Sequence, residues 1–220
     1  LFNFSQSAGT YTPITGGTVL GTTANNTQRF VDPSILGGGT TDTGPGFPIG
    51  FNLAYNGILY DKVGVHTKGW ISLGTTGLGV NMASTAIATP LSSSAFITPS
   101  YLRSRIAGVG ANLQGQTGSE IRIETIGTAP NRVCVIQWTN YRVGLQTGMN
   151  LNFQIRLNEN NQSIAVVYGT MGFNSTSNTA DVGLGGFTGS DYNNRRTVSP
   201  HNWNSTSAGI ADTSRCTMIN

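Results

Sequence analysis

The sequence predicts an all-β fold, an antiparallel β-sandwich of the jelly-roll-like kind with little or no helix. Short runs rich in valine, isoleucine, threonine and aromatic residues recur along the chain, separated by turns that draw on its 30 glycines. That profile is typical of many short strands. Several of these runs alternate apolar and polar residues with the period of two shown by a half-buried strand. Helical periodicity is nearly absent from the sequence.

The first predicted strands lie in FNLAYNGILYDKVGVHTKGWISLG, residues 51–74. Apolar residues alternate up to Asn56-Gly57, a two-residue hairpin signal in which both positions take positive φ. Ile58 begins the return strand, and Val63 is predicted to begin a further one. Lys68-Gly69 then turns the chain into another strand. The spacing of these residues favours a structural framework over a chemical site.

Two other segments are expected to form at most a turn of helix and one further strand. Residues 83–95 come nearest to a helix, but Pro90 interrupts them, so at most one helical turn is expected. In 119–126, Ile121 and Ile123 point to one face while charged residues form a polar row on the other.

The most strongly patterned strands follow. Residues 132–143 are apolar on both faces in their middle, which predicts a central strand covered on both sides. In 150–171, Leu151 to Leu157 alternate with polar residues that are predicted to face solvent. Residues 159–162 supply the turn, and Ile164 begins the return strand. The strands predicted on either side of the glycine-rich segment 37–46 have the same kind of sequence, which favours a single domain that spans residues 1–220. We expect this domain to be part of a longer secreted protein.

Charge and hydropathy exclude two classes of partner. Twelve basic residues against nine acidic ones give a net charge of +3, and they are scattered singly apart from Arg103/Arg105 and Arg195-Arg196. A solvated surface is therefore expected, and no nucleic-acid-binding face. No apolar run reaches the ~20 residues of a membrane span, so no membrane insertion is expected. Low charge with abundant threonine, asparagine and serine favours an exported protein whose signal peptide has been removed.

The two cysteines leave two alternatives open. In an oxidising compartment Cys134 and Cys216 could form a disulfide, and in any compartment they could be two separate buried thiols. The sequence weighs these alternatives evenly.

No catalytic constellation is recognisable. His66 and His201 lie in no known catalytic frame and are expected to be structural, at the surface or half buried. Glu120 and Glu124 lie roughly 13 Å apart along one strand at ~3.3 Å per residue, with Arg122 between them. A cross-strand charge ladder fits them better than a pair of glycosidase carboxylates. The sequence therefore predicts a protein that is not an enzyme.

Metal binding has little support in the sequence. No cluster of cysteine and histidine has the spacing of a zinc site. Aspartates in loops rich in asparagine and glycine leave Ca²⁺ as the one cofactor option, without the motif of a calcium-binding loop. These aspartates are Asp32, Asp42, Asp181, Asp191 and Asp212.

A loop-rich segment, GFTGSDYNNRRTVSPHNWNST (186–206), is the candidate ligand-binding site. Aromatic faces together with amide and guanidinium groups are what a sugar- or peptide-binding loop uses. The plainer interpretation is that the aromatic residues cap the end of the sandwich and the polar ones are solvated. The candidate ligand-binding residues are Tyr192, Asn193, Asn194, Arg195 and Trp203.

The order of several segments resembles a β-rich domain of secreted and cell-surface proteins of Bacteroidota. The resemblance runs from about Phe4 to Cys216 and rests on FPIGFNLAYNGILYDKVGVHTKGWISLG, GSEIRIETIGTAPNRVCVIQWTNYR, LNFQIRLNENNQSIAVVYGTM, DVGLGGFTGSDYNNRR and NWNSTSAG. Such proteins often end in a separate sorting domain for type IX secretion. The resemblance implies export to the cell surface in adhesin-like proteins, and it supplies no catalytic residues.

Similar proteins continue into another apolar strand, whereas this sequence stops after Met218-Ile219-Asn220. Two alternatives stay open: the rest of the protein has been removed or is missing from this sequence, or the strand comes from elsewhere in an assembly. In the second case a partner's strand would fill an open sheet edge, a hypothesis that fails if the final strand is found within this chain. The function expected is a non-catalytic adhesion or surface-assembly module, with other surface proteins or further copies as partners through sheet edges. The alternatives are a lectin-like carbohydrate-binding module and an accessory domain of a secreted hydrolase.

Overall fold

The computed structural model describes residues 3–22, 27–85, 87–172, 180–194 and 214–219. Nearly all regular structure within these ranges is β, and the one helical element in them is a short 3-10 turn at Ser100–Arg103. The predicted all-β sandwich with little helix is confirmed. The segment 83–95 contains no helical turn in its described residues.

The strands are numbered in chain order. They are β1 Asn3–Ala8, β2 Thr18–Gly21, β3 Arg29–Phe30, β4 Thr43–Gly44, β5 Phe47–Tyr55, β6 Ile58–His66, β7 Trp70–Gly74, β8 Val80–Asn81, β9 Arg105–Gly110, β10 Leu113–Gln114, β11 Glu120–Ile126, β12 Val133–Val143, β13 Asn150–Asn158, β14 Ile164–Gly172, β15 Asp181–Gly185, β16 Tyr192–Asn194 and β17 Ser214–Ile219.

Two antiparallel sheets carry the fold. The larger has the order β1-β17-β14-β13-β12-β11-β2, with β10 beside β12. The second has the order β16-β15-β9-β7-β6-β3, with β5 also beside β6, and β4 pairs separately with β8. Four strands consecutive in sequence, β11 to β14, are neighbours in the larger sheet, as expected for short antiparallel connections.

The β5–β6 hairpin forms as its turn signal predicts. Asn56 and Gly57 have φ of 49° and 76°, the positive values that a tight two-residue hairpin turn requires. The prediction of a separate strand from Val63 is wrong, because β6 runs without a break from Ile58 to His66. The turn at Lys68-Gly69 leads into β7 as predicted.

The predicted central strand is β12. It lies between β11 and β13, and its residues Cys134, Ile136 and Trp138 are completely buried. The Trp138 ring stacks on Phe153, its cross-strand partner in β13, with ring centroids 4.9 Å apart. Directly opposed aromatic pairs of this kind add to the stability of neighbouring strands.

Buried aromatic side chains also join the two sheets. The indole N–H of Trp138 donates to the carbonyl of His66, at 3.2 Å, and the Tyr168 hydroxyl donates to the carbonyl of Gly108, at 2.8 Å. Each ring thus buries its apolar body while its polar end finds an acceptor. One apolar core lies between the sheets, and its largest members are Tyr55, Tyr60, Trp138, Tyr141, Phe153 and Tyr168.

The outer face of the larger sheet is less exposed to solvent than the alternation of apolar and polar residues predicts. Gln154 and Gln137 are buried, because the segment 9–17 crosses this face. The Gln154 amide donates to the Thr12 carbonyl at 2.9 Å, and the Gln137 side-chain oxygen accepts from the Ile14 N–H at 2.9 Å. The solvent-facing prediction for Gln154 is therefore wrong.

Strand order separates the two cysteines. Cys134 is a free, buried thiol, and burial raises its pKa to about 12. Cys216 lies on β17, and β13 and β14 intervene between β17 and β12. Three strand spacings amount to about 14 Å, whereas the Cα atoms of a disulfide lie within about 7 Å. This strand order favours two separate cysteines over a disulfide.

The last described strand is supplied by the chain itself. β17 pairs with β14 on one side and with β1 on the other. β17 is formed by the stretch at which the sequence stops, so a partner's strand following it stays a prediction. The outermost strands of the larger sheet are β1 and β2.

Two glycines of similar φ provide a test of this framework. No atom lies within 4 Å of the position that a Cβ would take at Gly57, whereas a Cβ at Gly69 would come within 2.2 Å of the Val109 carbonyl oxygen. We expect Gly57→Ala to lower the free energy of unfolding by about 1 kcal/mol through backbone strain alone. Gly69→Ala adds a backbone clash and should cost at least about twice as much. Chemical denaturation of both variants measures this, and equal losses would contradict the close approach of the two sheet segments.

Candidate binding site at the end of the sandwich

One end of the sandwich carries a surface cleft of about 280 Å³. Its described lining comes from the β5–β6 turn and from the β15–β16 hairpin, which are far apart in sequence. We call this region, together with the neighbouring exposed Phe96, the end surface. Its cleft is lined by Tyr55, Asn56, Leu184, Gly186, Asp191, Tyr192 and Asn193.

The loop between β15 and β16 is closed by its own backbone. The Gly186 N–H donates to the Asp191 carbonyl at 2.7 Å, and the Asp191 N–H donates to the Thr188 carbonyl at 3.2 Å. The Asp191 carboxylate also accepts from the Phe187 N–H, at 3.2 Å. These bonds fix the direction in which Tyr192 leaves the loop.

Buried side chains hold the base of this loop. The Tyr55 hydroxyl donates to the Gly185 carbonyl at 2.8 Å, and a guanidinium nitrogen of Arg103 donates to the Gly186 carbonyl at 2.9 Å. Burial raises the pKa of Tyr55 strongly, so its hydroxyl stays protonated and remains a donor. The loop is thus attached to β5 and to the 3-10 turn.

Arg103 and Arg105 are buried, which corrects the expectation that the arginines form a solvated surface. Arg103 donates to the carbonyls of Leu91 and Ser93, at 2.8 and 2.7 Å. Arg105 donates to the carbonyls of Pro90 and Ala83 and lies over the Trp70 ring. Burial lowers the pKa of Arg105 to about 9, so it still carries its charge at neutral pH.

The end surface exposes two aromatic rings beside polar groups. Tyr192 is 45% exposed and Phe96 is 90% exposed. Their loops touch, since a Cβ at Gly189 would come within 2.7 Å of the Ser93 carbonyl oxygen. A half-exposed aromatic ring offers a flat apolar face, and the neighbouring Asp191 and Asn193 offer acceptors and donors. This combination suits a ligand with one apolar face and several hydroxyl groups.

The structure places some of the predicted binding residues together. Tyr192 and Asn193 line the cleft, and Asn194 ends β16. Arg195 and Trp203 lie outside the described residues, as does His201. Sequence reasoning missed Asn56, which lines the cleft, and Phe96, which is exposed on the adjoining segment. Phe96 carried a usable signal, because it is an aromatic residue in a segment of serine and threonine.

The candidate acid–base residues occupy structural positions. Glu120 forms an ion pair with Arg122 on its own strand, at 2.6 Å, so the expected cross-strand ladder is wrong at this pair. Glu124 accepts the Gly16 N–H at 3.2 Å. Both carboxylates are therefore engaged in holding β11 and the segment before β2.

His66 is completely buried, which corrects the expectation of a surface or half-buried residue. Its ring stacks on Trp70 with centroids 4.9 Å apart. Its Nδ1 accepts the Lys68 N–H at 3.0 Å, so the proton of the neutral ring lies on Nε2. Burial, reinforced by the charges of Arg29, Lys68 and Arg105, lowers the pKa of His66 well below 6.5.

The aspartates that were considered as possible Ca²⁺ ligands have separate surroundings. Asp32 accepts from Ser34, and Asp42 forms an ion pair with Arg29 at 2.6 Å. Asp181 is buried and accepts the Leu91 N–H at 3.4 Å. Asp212 lies outside the described residues. Across the described part of the chain, no three acidic, histidine or cysteine side chains come together as metal ligands would.

Comparison with known proteins identifies a family. A family model described as NIDO related, a nidogen-related domain, matches residues 1–217. NIDO-related domains are typically extracellular and are a non-enzymatic type of module. No curated protein and no solved structure matches the chain. Among the described residues, no helix has the length and apolarity needed to cross a membrane.

The lowered pKa of His66 gives a pH prediction. Below pH 6.5 the unfolded chain binds a proton at this histidine that the folded chain does not bind. The free energy of unfolding should therefore fall as the pH drops below 6.5, by up to about 1.4 kcal/mol per pH unit. Denaturation at pH 7, 6 and 5 measures this slope. His66→Gln should flatten it, because ordinary carboxylates titrate near pH 4, and a flat wild-type profile would contradict the assignment.

Proposed function

The chain belongs to the NIDO-related family, and on that premise we propose that it is a non-catalytic adhesion module of a secreted protein. The proposed working surface is the end surface, and the proposed ligand is a surface glycan. The resemblance to Bacteroidota proteins supports a bacterial cell surface reached by type IX secretion. The family match supports only the coarser statement of an extracellular module.

The observation that carries the proposal is the fixed geometry of the end surface. Tyr55 and Arg103 hold adjacent carbonyls at the base of the loop, at 2.8 and 2.9 Å, so the Tyr192 ring is presented from a rigid support. A ligand that meets an already ordered surface loses less conformational entropy in binding. Functional loops on a rigid β framework commonly work in this way.

Removing the ring of Tyr192 tests the proposal. Wild-type protein and Tyr192→Ala are compared on an array of neutral glycans, with circular dichroism to verify the fold. The proposal expects binding by the wild type and a loss of about tenfold or more in the variant, the equivalent of about 1.4 kcal/mol.

Leu36→Ala is the matched control. Leu36 is 58% exposed and follows β3, which pairs with the opposite end of β6, so this variant should bind as the wild type does. Absence of glycan binding in the wild type, or equal binding by wild type and Tyr192→Ala, would overturn the proposal.

A second candidate, surface assembly through a sheet edge, is favoured by β1. Among the described strands β1 pairs only with β17, and Asn3–Ala8 contains no lysine or proline of the kind that protects natural edges. Pairing with a strand of another copy would extend the larger sheet.

Light scattering of the protein at increasing concentration tests this second candidate. Self-association should appear in the wild type and be reduced by the double change Ser5→Lys and Ser7→Lys, because two charges on one edge strand oppose edge-to-edge pairing. The exposed changes Ser92→Lys and Ser94→Lys add the same charge away from β1 and serve as control. A wild-type protein that stays monomeric would contradict assembly and leave glycan binding untouched.

A further inference from the structure

A second, larger groove lies at the opposite end of the sandwich. It is a shallow depression that is open to solvent, with a volume of about 630 Å³. The end surface lies near the β13–β14 turn, where the Gln162 side chain accepts the Ala54 N–H at 2.5 Å. The groove lies where β13 begins. Its lining is Gln116, Thr117, Asn140, Arg142, Gly148, Met149 and Asn150.

Two neighbouring irregularities of the larger sheet shape this groove. The pairing of β12 with β13 shifts register between Trp138 and Tyr141, and the pairing of β13 with β14 shifts between Leu151 and Phe153. Within the first shift Asn140 has a φ of 55°. Bulges of this kind re-aim side chains and are over-represented beside functional sites.

The amide groups of the groove are held in one arrangement. The Gln116 side-chain nitrogen donates to the carbonyls of Met149 and Asn140, at 2.8 and 3.2 Å, and to the Asn140 side-chain oxygen at 2.9 Å. The Asn140 amide nitrogen donates to the Thr117 carbonyl at 2.9 Å. The Asn150 side-chain oxygen accepts from Asn152 at 2.7 Å. The lining is therefore ordered before any ligand arrives.

Arg142 is distinguished from the other arginines by its surroundings. Its Nε is buried without a hydrogen-bond partner among the described residues, a feature that it shares with Arg29, Arg103 and Arg105. It differs from them in its neighbours, because none of the seven lining residues of the groove is acidic. The remaining arginines with described side chains all donate to a carboxylate, a carbonyl or an amide oxygen: Arg29, Arg103, Arg105, Arg122, Arg132 and Arg156.

The positive charge of a half-buried guanidinium beside neutral amides is poorly balanced by its surroundings in the free protein. Arginine matches a carboxylate with two parallel hydrogen bonds, and such bonds are stronger than those between neutral groups. We propose that this groove binds a carboxylate-bearing glycan, with the carboxylate of a uronic acid on Arg142 and the sugar hydroxyls on the amides of Asn140 and Asn150. This site is independent of the end surface.

The lining favours a sugar over an acidic peptide. Around the single cation Arg142, the groove presents side-chain amides and a hydroxyl, from Gln116, Thr117, Asn140 and Asn150. Such groups match the alternating donors and acceptors of a pyranose ring. An acidic peptide with several carboxylates would find one cation only and would leave its other charges unpaired.

Binding of defined oligosaccharides tests the proposal. Hexamers of galacturonic, mannuronic and guluronic acid are titrated calorimetrically into the whole chain, together with the fully methyl-esterified galacturonic hexamer. At least one free-acid hexamer should bind, its affinity should fall with salt, and esterification should weaken the galacturonic hexamer about tenfold or more if that hexamer binds. Failure of all three free-acid hexamers to bind would overturn the proposal.

Variants assign the binding to the groove. Arg142→Gln should weaken uronate binding about tenfold or more, whereas Arg142→Lys should keep part of it, since the charge remains and the paired hydrogen bonds do not. Arg122→Gln, which removes an arginine paired with Glu120, should bind as the wild type does. Equal binding by Arg142→Gln and wild type, a preference for sulfated hexamers, or equal binding of an aspartate hexapeptide would each overturn it.

Discussion

The buried guanidinium groups of Arg103 and Arg105 hold together the part of the structure that has no sheet of its own. The described residues of the segment 82–99 include no strand, so their inward carbonyls have no ladder partners. Two buried cations would be costly by themselves, as would buried carbonyls without donors. Both costs are avoided because the two arginines donate hydrogen bonds to these carbonyls, which belong to Ala83, Pro90, Leu91 and Ser93.

The same constraint shapes the end surface. Arg103 donates to Gly186 as well as to Leu91 and Ser93, so one planar group joins the loop after β15 to the segment that carries Phe96. Arginine suits this position because its donors lie in a fixed fork, which lysine cannot reproduce. The backbones of the two loops that carry the exposed aromatic residues are therefore joined by one buried group.

The sequence predicted the strands well where alternation was clean, as in Leu151–Leu157, and where a turn signal was strong, as at Asn56-Gly57. Alternation records which residues share a face, but it does not record what covers that face. Gln154 is buried because the distant segment 9–17 crosses it, and no local pattern encodes that crossing. The candidate site at the end surface shows the same division. Local composition pointed to Tyr192 and Asn193, whereas Asn56 lies beside them only because of the fold.

Asparagine in the left-handed region contributes to both candidate sites. Asn56 and Asn140 have φ of 49° and 55°, a conformation that asparagine tolerates better than most residues. Asn56 lies in a hairpin turn, and Asn140 lies where the strand pairing is interrupted. Each of them lines one of the two candidate sites with its side-chain amide. A protein with only 10% charged residues can therefore build polar sites without adding charge. In the proposed second site, an anionic ligand of Arg142 would meet no competing carboxylate among the lining residues of the groove.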